Sequence, residues 1–331
     1  MSEASIAVVA VGNALVDVLS KVDDAFLDEQ CKKYGMEKGA MTLIDEQRAV
    51  ELYTQMPDKL EASGGSAANT MAGFASFGGV GAFVGKVADD TVGQTFKNDM
   101  NGIGVKYNTQ PLIAGPPTGR CMILVAPDGH RTMNTFLGAS VELSPNDIDR
   151  NLIFSSKITY LEGYLFDREL AKQAFITAAE YAHQAGHRVA LTLSDPFCVD
   201  RHRHDFLTLV EHHVDILFAN EEEIKSLYMQ QDFKDAKSAV DDHCEIAVLT
   251  RSEHGAVIVS EGKEISVSAA PVKKVVDTTG AGDQFAAGFL YGFTHGRSLE
   301  ESGKLGALAA AEVISHIGPR PLINLKSLLA A

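Results

Sequence analysis

From Ser144 to Phe218 the chain alternates short apolar runs with longer amphipathic ones, and this restricts its folding more than any other feature. Apolar spacing predicts helices over 145–156, 167–185 and 205–213, with strands over 158–161, 189–193 and 216–218. A strand followed by a helix re-enters its sheet from the same end, so such a run builds a parallel sheet with helices on both faces. The expected class is α/β, three layers around a mostly parallel central sheet. No repeat, linker or low-complexity tract interrupts the pattern.

The first part of the chain is less regular. Residues 6–11 read as a buried first strand running into Gly12-Asn13, and the alternating Val16, Val18, Ser20 and Val22 read as a second, more exposed strand. Helices follow over 23–34 and 45–57, with 39–44 extended between them; a strand over 80–87 comes next, and Asp89-Asp90-Thr91-Val92-Gly93 opens a helix running toward Asn101. From Val105 to Gly138 the helical period disappears. Alternation over 106–112 and 120–126, an Asp128-Gly129 hairpin turn and a further strand over 131–136 predict a small sheet together with the segments near Asp17 and Gly39. We expect one domain over 1–331 with a discontinuous lid of about 14–45 and 105–138, which would cover a site and exclude water or serve as a homodimer surface.

Composition narrows the partners. With 331 residues, 45% of them hydrophobic and 22% charged, the chain can bury a large core, while a net charge of -15 disfavours nucleic acid and acidic membrane surfaces. Small-molecule substrates fit better. Cys31, Cys121, Cys198 and Cys244 are scattered and form no metal or redox motif, the apolar run at 6–11 is too short for a signal or membrane segment, and a cytoplasmic setting with reduced thiols is expected. His202, His204, His212 and His213 lie among acids and arginines and read as a solvated helical face rather than a metal site.

Five stretches carry chemistry, three of them junctions into a helix. In Asp277-Thr278-Thr279-Gly280-Ala281-Gly282-Asp283, glycines turn the backbone just before an apolar helix spaced Phe285, Phe289, Phe293, which bares N–H groups as a cradle for phosphate. Asp283 would be repelled by a phosphate in that cradle, so it suits the incoming hydroxyl, whose proton it can take. A capped loop without catalytic purpose would read the same way. Ser63-Gly64-Gly65-Ser66-Ala67-Ala68-Asn69-Thr70 is a second such junction, where close helix packing explains the alanines but explains Asn69 less well. Asn13 and Asp17 follow a strand end at the sheet edge, where open α/β folds place ligands. Asn220 and Glu223 share one face of a helix start, suited to orienting water around magnesium on ATP phosphates, although the helix dipole alone also favours acids there. Thr250 and Gly255 bound a loop able to approach a nucleotide.

Taken together, Asp277 to Asp283, Gly64-Gly65-Ser66-Ala67-Ala68-Asn69, the run Gly85 to Gly93 and Asn220-Glu221-Glu222-Glu223 resemble, in this order, the motifs of the PfkB or ribokinase-like family of carbohydrate and nucleoside kinases. The resemblance covers nearly the whole chain and implies the ribokinase-like fold. It implies Asp283 as base, Gly280, Ala281 and Gly282 as anion hole, and Asn220 and Glu223 acting through hydrated magnesium. Asp17, Gly65 and Asn69, with Asn13 and Ser66 beside them, would hold the substrate hydroxyls, which a carboxylate can accept in pairs. Arg131 looks like the family's lid arginine. Thr250, Gly255 and Thr279 fall on the ATP side, and Asp277 with Thr279 matches part of the potassium site of many members. One departure stands in Thr250-Arg251-Ser252-Glu253-His254-Gly255, where the family's middle glycine is replaced; ATP is still the expected donor. Gly12 to Asp17, and Tyr164-Leu165-Phe166 after Glu162-Gly163, look like the nucleoside-kinase versions of these segments. They imply adenosine as acceptor and AMP as product; Met41, Met133, Leu137 and Tyr164 could line a slot for the base, although each reads equally as an ordinary core or lid residue. A kinase of ribose, fructose or a related sugar is the alternative, and a nucleoside-binding regulator without turnover is a third reading.

Overall fold

The computed structural model describes residues 6–330 except Gly129 and Asp242, so the expected Asp128-Gly129 turn lies partly outside the described residues. The first half of the chain forms β1 (Val8–Val11), β2 (Leu15–Lys21), α1 (Asp24–Tyr34), β3 (Met41–Leu43), α2 (Glu46–Gln55), β4 (Leu60–Gly64), α3 (Ser66–Ser76), β5 (Gly81–Val84), α4 (Thr91–Gly102), β6 (Val105–Tyr107), β7 (Thr118–Val125) and β8 (Arg131–Gly138). It continues through α5 (Arg150–Phe154), β9 (Ile158–Glu162), α6 (Glu169–Gln184), β10 (Arg188–Thr192), α7 (Pro196–His213), β11 (Ile216–Asn220), α8 (Glu221–Leu227), α9 (Phe233–Val240), β12 (Ile246–Thr250), β13 (Ala256–Ser260), β14 (Lys263–Val267), α10 (Ala281–Thr294) and α11 (Leu299–Val313).

Nine strands form the central sheet in the order β14-β13-β12-β11-β10-β9-β1-β5-β6, parallel except for the hairpin pairings of β13 with β12 and β14. Alternate residues of each strand face opposite layers. Val8 and Ala10 pack with Phe74, Phe285 and Phe289 of α3 and α10, whereas Val9 and Val11 pack with Ala174, Phe175 and Phe206 of α6 and α7. This two-sided burial is why the strands read as continuous apolar runs. The five-stranded second sheet has the order β3-β8-β7-β2-β4. Because β1 is flanked by β5 on one side and β9 on the other, with β2 to β4 of the second sheet inserted between β1 and β5 in the chain and β7 and β8 between β6 and β9, the strand order reverses at β1. That reversal opens a crevice at the carboxyl ends of β1 and β9.

Several expectations are corrected. The segment after Val105 does not join the small sheet: β6 pairs with β5 at the edge of the large one, because Tyr107 packs edge-on against Phe96 and also against Phe83. The small sheet takes β4 instead, outside the expected lid bounds. β2 is not an exposed strand, since it lies between β4 and β7 and buries Val16 and Val18 against Leu27 and Leu52. The helix expected over 145–156 is broken into a 3-10 turn at Pro145–Asp147 and α5, because Asp149 accepts the Asn151 N–H and starts a new helix. Conversely α7 begins earlier than 205, with Asp195 as cap and Pro196 in its first turn, and is kinked at His202. All four cysteines are free, and no helix among the described residues is long and apolar enough to cross a membrane.

Candidate active site

The crevice is knit together by a carboxylate that motif reading passed over. Glu162 ends β9 almost fully buried; its Oε1 accepts the Asn13 amide at 2.8 Å and its Oε2 the Ala67 N–H at 2.8 Å, joining the end of β1 to the first turn of α3. Burial pushes it up to about 7 against the pull of these hydrogen bonds. Gly65 turns at φ +98°, and a Cβ there would lie 2.2 Å from the Asn13 carbonyl oxygen; one on Gly64 would lie 2.4 Å from the Asp17 carboxylate. The two glycines thus let the β4–α3 junction close directly on Asn13 and Asp17.

Asp17, Ser66, Asn69 and Asp283, which come from three separate stretches of sequence, converge. Ser66 Oγ donates to Asp283 Oδ1 at 2.6 Å and the Asn69 side chain bonds the same carboxylate. Burial raises Asp283 to about 6, Ser66 and Asn69 oppose the rise, and the neighbouring Asp17 adds to it. Asp17 is itself raised to about 6 by burial, partly offset by Arg320 and Arg131. A carboxyl poised near 6 is largely ionised at neutral pH yet basic enough to accept a proton. Beside it, Gly280 at φ +78° begins α10 without a side-chain cap. Among the described residues the Gly282 and Asp283 N–H groups have no acceptor, and a Cβ on Gly282 would meet nothing within 4 Å. The result is an open turn lined with N–H groups at a helix start, suited to an anion.

Asp277 is differently engaged. Its Oδ1 accepts the Thr279 N–H and hydroxyl, its Oδ2 accepts the Gly318 N–H, and Arg131 Nη2 stands 2.7 Å from Oδ2. A carboxylate facing three donors and a guanidinium does not fit a potassium ligand, and no step below involves that ion. Arg131 is 6% exposed and ties the small sheet to the loop preceding the anion turn.

On the far side, Asn220 and Glu223 form a capping box: Asn220 Oδ1 accepts the Glu223 N–H at 2.8 Å, and Glu223 accepts the Asn220 N–H and amide at 2.9 and 2.7 Å. An ordinary helix start would show the same bonds. What exceeds it is burial, which raises Glu223 to about 7, with Asp195 and Asp283 adding their charge. Such a mutually repelling set of carboxylates fits a hydrated divalent cation. Thr250 lies beside Asn220 in the sheet register. Tyr164 faces this side: its side chain bonds Asp195, its N–H donates to Ser194, and it feels the charges of both Glu223 and Asp283. Of the other pocket candidates, Met133 packs with Leu19, Cys121, Ile123 and Val125 on one face of the small sheet, and Met41 pairs in register with it and is 42% exposed. Cys121 pairs with Asp17 in the sheet register, which puts this apolar face next to the cluster of Asp17, Ser66, Asn69 and Asp283.

With this geometry in view, the comparison with known proteins is direct: the model of the pfkB family of carbohydrate kinases matches residues 39–324. The chain belongs to the PfkB family. As a PfkB kinase it is a phosphotransferase with an alcohol acceptor. It is 30% identical to adenosine kinase of Saccharomyces cerevisiae, over 94% of this chain and 95% of that one. Among solved structures it is similar to adenosine kinase from Sinorhizobium meliloti, 50% identical with a TM-score of 0.91 over 99% of both chains. It is equally similar to a probable sugar kinase from Rhizobium etli CFN 42, 50% identical with a TM-score of 0.91 over 98% of both.

The loop from Thr250 to Gly255 of this PfkB kinase keeps its turn without the middle glycine. Ser252 adopts φ +50° where the family has glycine, and Gly255, at φ +80°, sits where a Cβ would be 2.0 Å from the Val267 carbonyl oxygen. A left-handed serine costs about 1–2 kcal/mol, and glycine at the same place loses about 0.5–1 kcal/mol of that gain to unfolded-state entropy. Ser252→Gly should therefore stabilise the protein by about 0.5–1 kcal/mol, read as a higher urea midpoint at unchanged slope. A lower midpoint would show that the serine side chain is needed for the turn.

Proposed function

We propose that this kinase transfers the γ-phosphoryl group of ATP to a ribose hydroxyl of a nucleoside, converting adenosine to AMP. The observation that carries this reading is the apolar face of the small sheet, with Leu19, Ile123 and Met133, set against Asp17 and its polar neighbours. A purine needs an apolar surface at one end of the site and hydroxyl-binding groups at the other, whereas a free sugar needs the second alone. The yeast and Sinorhizobium enzymes named above support the same reading.

In this reading Asp17 and Asn69 hold the ribose hydroxyls, and Asp283, oriented by Ser66, accepts the proton of the acceptor hydroxyl as its oxygen bonds to the γ-phosphorus. The bond to the β–γ bridging oxygen breaks and ADP leaves. The N–H groups of the Gly280 to Gly282 turn stabilise the charge that spreads over the transferring oxygens. Asn220 and Glu223 would hold a hydrated magnesium ion, which neutralises phosphate charge when bound. The small sheet would act as the lid that keeps water from the reacting phosphoryl group.

The test is ATP- and magnesium-dependent phosphorylation of adenosine, inosine, guanosine, ribose and fructose, with products identified by mass. Preferential formation of AMP is expected. Sugar phosphate without AMP would move the acceptor to the class named for the Rhizobium etli relative.

A further inference from the structure

Arg320 lies in Gly318-Pro319-Arg320-Pro321, a stretch with no motif, yet its guanidinium reaches the centre of the site. Nε donates to Asn69 Oδ1 at 3.0 Å and Nη1 to Ser63 Oγ at 2.7 Å, with Asp99 Oδ2 3.8 Å from Nη1 and Met100 Sδ 3.9 Å from Nη2. Ser63 passes the contact on by donating its own hydroxyl to Asp99 at 2.7 Å. A guanidinium can only donate, so the oxygen of Asn69 must face Arg320, and this turns the Asn69 NH2 toward Asp283. The side chain is also the cation that faces Asp17, Asp99 and Asp283 together.

We propose that Arg320 is a positioning residue for phosphoryl transfer: it fixes the Asn69 carboxamide so that its NH2 is presented to Asp283, and it supplies the countercharge that lets Asp17 and Asp283 be ionised together. The proposal rests on the reading of Asp283 as base, so its test includes a readout that needs no substrate. Besides Arg320, the groups facing Asp283 are Ser66 and Asn69 of α3, Asp17 of β2, Glu162 of β9, Glu223 of α8, and the phenols Tyr160 and Tyr164. All the charged ones except Arg320 are acids, so removing Arg320 has one expected direction.

The experiment is carboxyl-carbon NMR titration of the full chain labelled at aspartate, with the Asp283 signal assigned by its loss in Asp283→Asn. In the wild type the Asp283 midpoint is expected at about 6, raised by burial. In Arg320→Met its midpoint should rise by at least about half a pH unit, and the acidic limb of kcat/KM should move up with it. An unmoved midpoint in folded Arg320→Met overturns the proposal, whatever happens to kcat. If that variant does not fold, Arg320→Lys decides. An ammonium keeps the charge without the planar fork, so Asp283 should titrate as in the wild type while kcat falls roughly tenfold. Wild-type kcat in the lysine variant overturns the positioning role. A wild type that phosphorylates none of the five acceptors refutes the proposed function instead, and the carboxyl titration still decides the role of Arg320.

Discussion

Asp283→Asn should lower kcat by at least about a hundredfold, the scale of a lost general base, while KM for the acceptor changes little. Asparagine keeps the shape and can still accept the Ser66 hydroxyl, whose bond to Oδ1 orients the wild-type carboxylate, but it cannot take up a proton. In the wild type, kcat/KM should fall below about pH 6, where Asp283 protonates, and more steeply than one proton allows because Asp17 is also raised to about 6. The stability change has the opposite sign. Folding raises Asp283 from 3.8 to about 6, so its protonated form favours the fold. That contribution is complete below 3.8 and is lost as pH rises through 6, which leaves the ionised group a burden at neutral pH. The asparagine variant should therefore be more stable than wild type at pH 7.5, by an order of 1–3 kcal/mol, with the gap closing toward pH 4. Near-wild-type turnover in this variant would sink the mechanism. A destabilised variant at pH 7.5 would instead show that the carboxylate is structural.

The parts of this site that could be read from sequence are those whose signal is local. Asp283 and Asn69 each follow a glycine turn that opens a helix, Asn220 ends a strand and caps a helix, and Asn13 follows an apolar strand, so the local structure around each is the one expected. Glu162 carries the same signal, a charged residue straight after the apolar run 158–161, and was readable in principle. Arg320 was not, since its role depends on residues from Asp17 to Asp283 that only the fold brings to it. Tyr164 was legible only in part. Its position after β9 was inferred correctly, but which way the ring turns depends on Asp195 at the start of α7, more than thirty residues on. The boundary of the small sheet failed for a similar reason. The residues of β6 alternate as those of a small-sheet strand would, and only the aromatic contacts of Tyr107 with Phe83 and Phe96 assign them to the large sheet. Local pattern decides what an element is, and long-range packing decides which sheet receives it.

Gly280→Ala and Gly282→Ala should separate the two demands made on the anion turn, though the residues are only two positions apart. At Gly280 the backbone is left-handed at φ +78°, and an added Cβ would lie 2.6 Å from the Pro319 carbonyl oxygen and 2.7 Å from its Cα. The conformation alone costs about 1–2 kcal/mol, and the overlap is with backbone and a proline ring, which cannot swing aside. Pro319 would have to move, and its carbonyl accepts the Gln284 amide that also bonds the Asn69 carbonyl, so the displacement reaches the substrate side. Gly280→Ala should lose roughly 3 kcal/mol or more of stability along with most of its activity, seen as a lower denaturant midpoint and a hundredfold or greater fall in kcat/KM. At Gly282 the added methyl meets nothing within 4 Å, and alanine suits a helix first turn better than glycine does, by about 0.5–1 kcal/mol. That variant should fold at least as stably as wild type yet lose about tenfold or more in kcat/KM, because the methyl stands in the open mouth where the phosphoryl oxygens must approach the N–H groups. Equal activity of Gly282→Ala and wild type would place the transferring phosphate elsewhere, even if Gly280→Ala were inactive. The Gly280 result alone cannot distinguish a broken fold from a blocked anion hole, and the stable, impaired Gly282 variant is what makes the distinction.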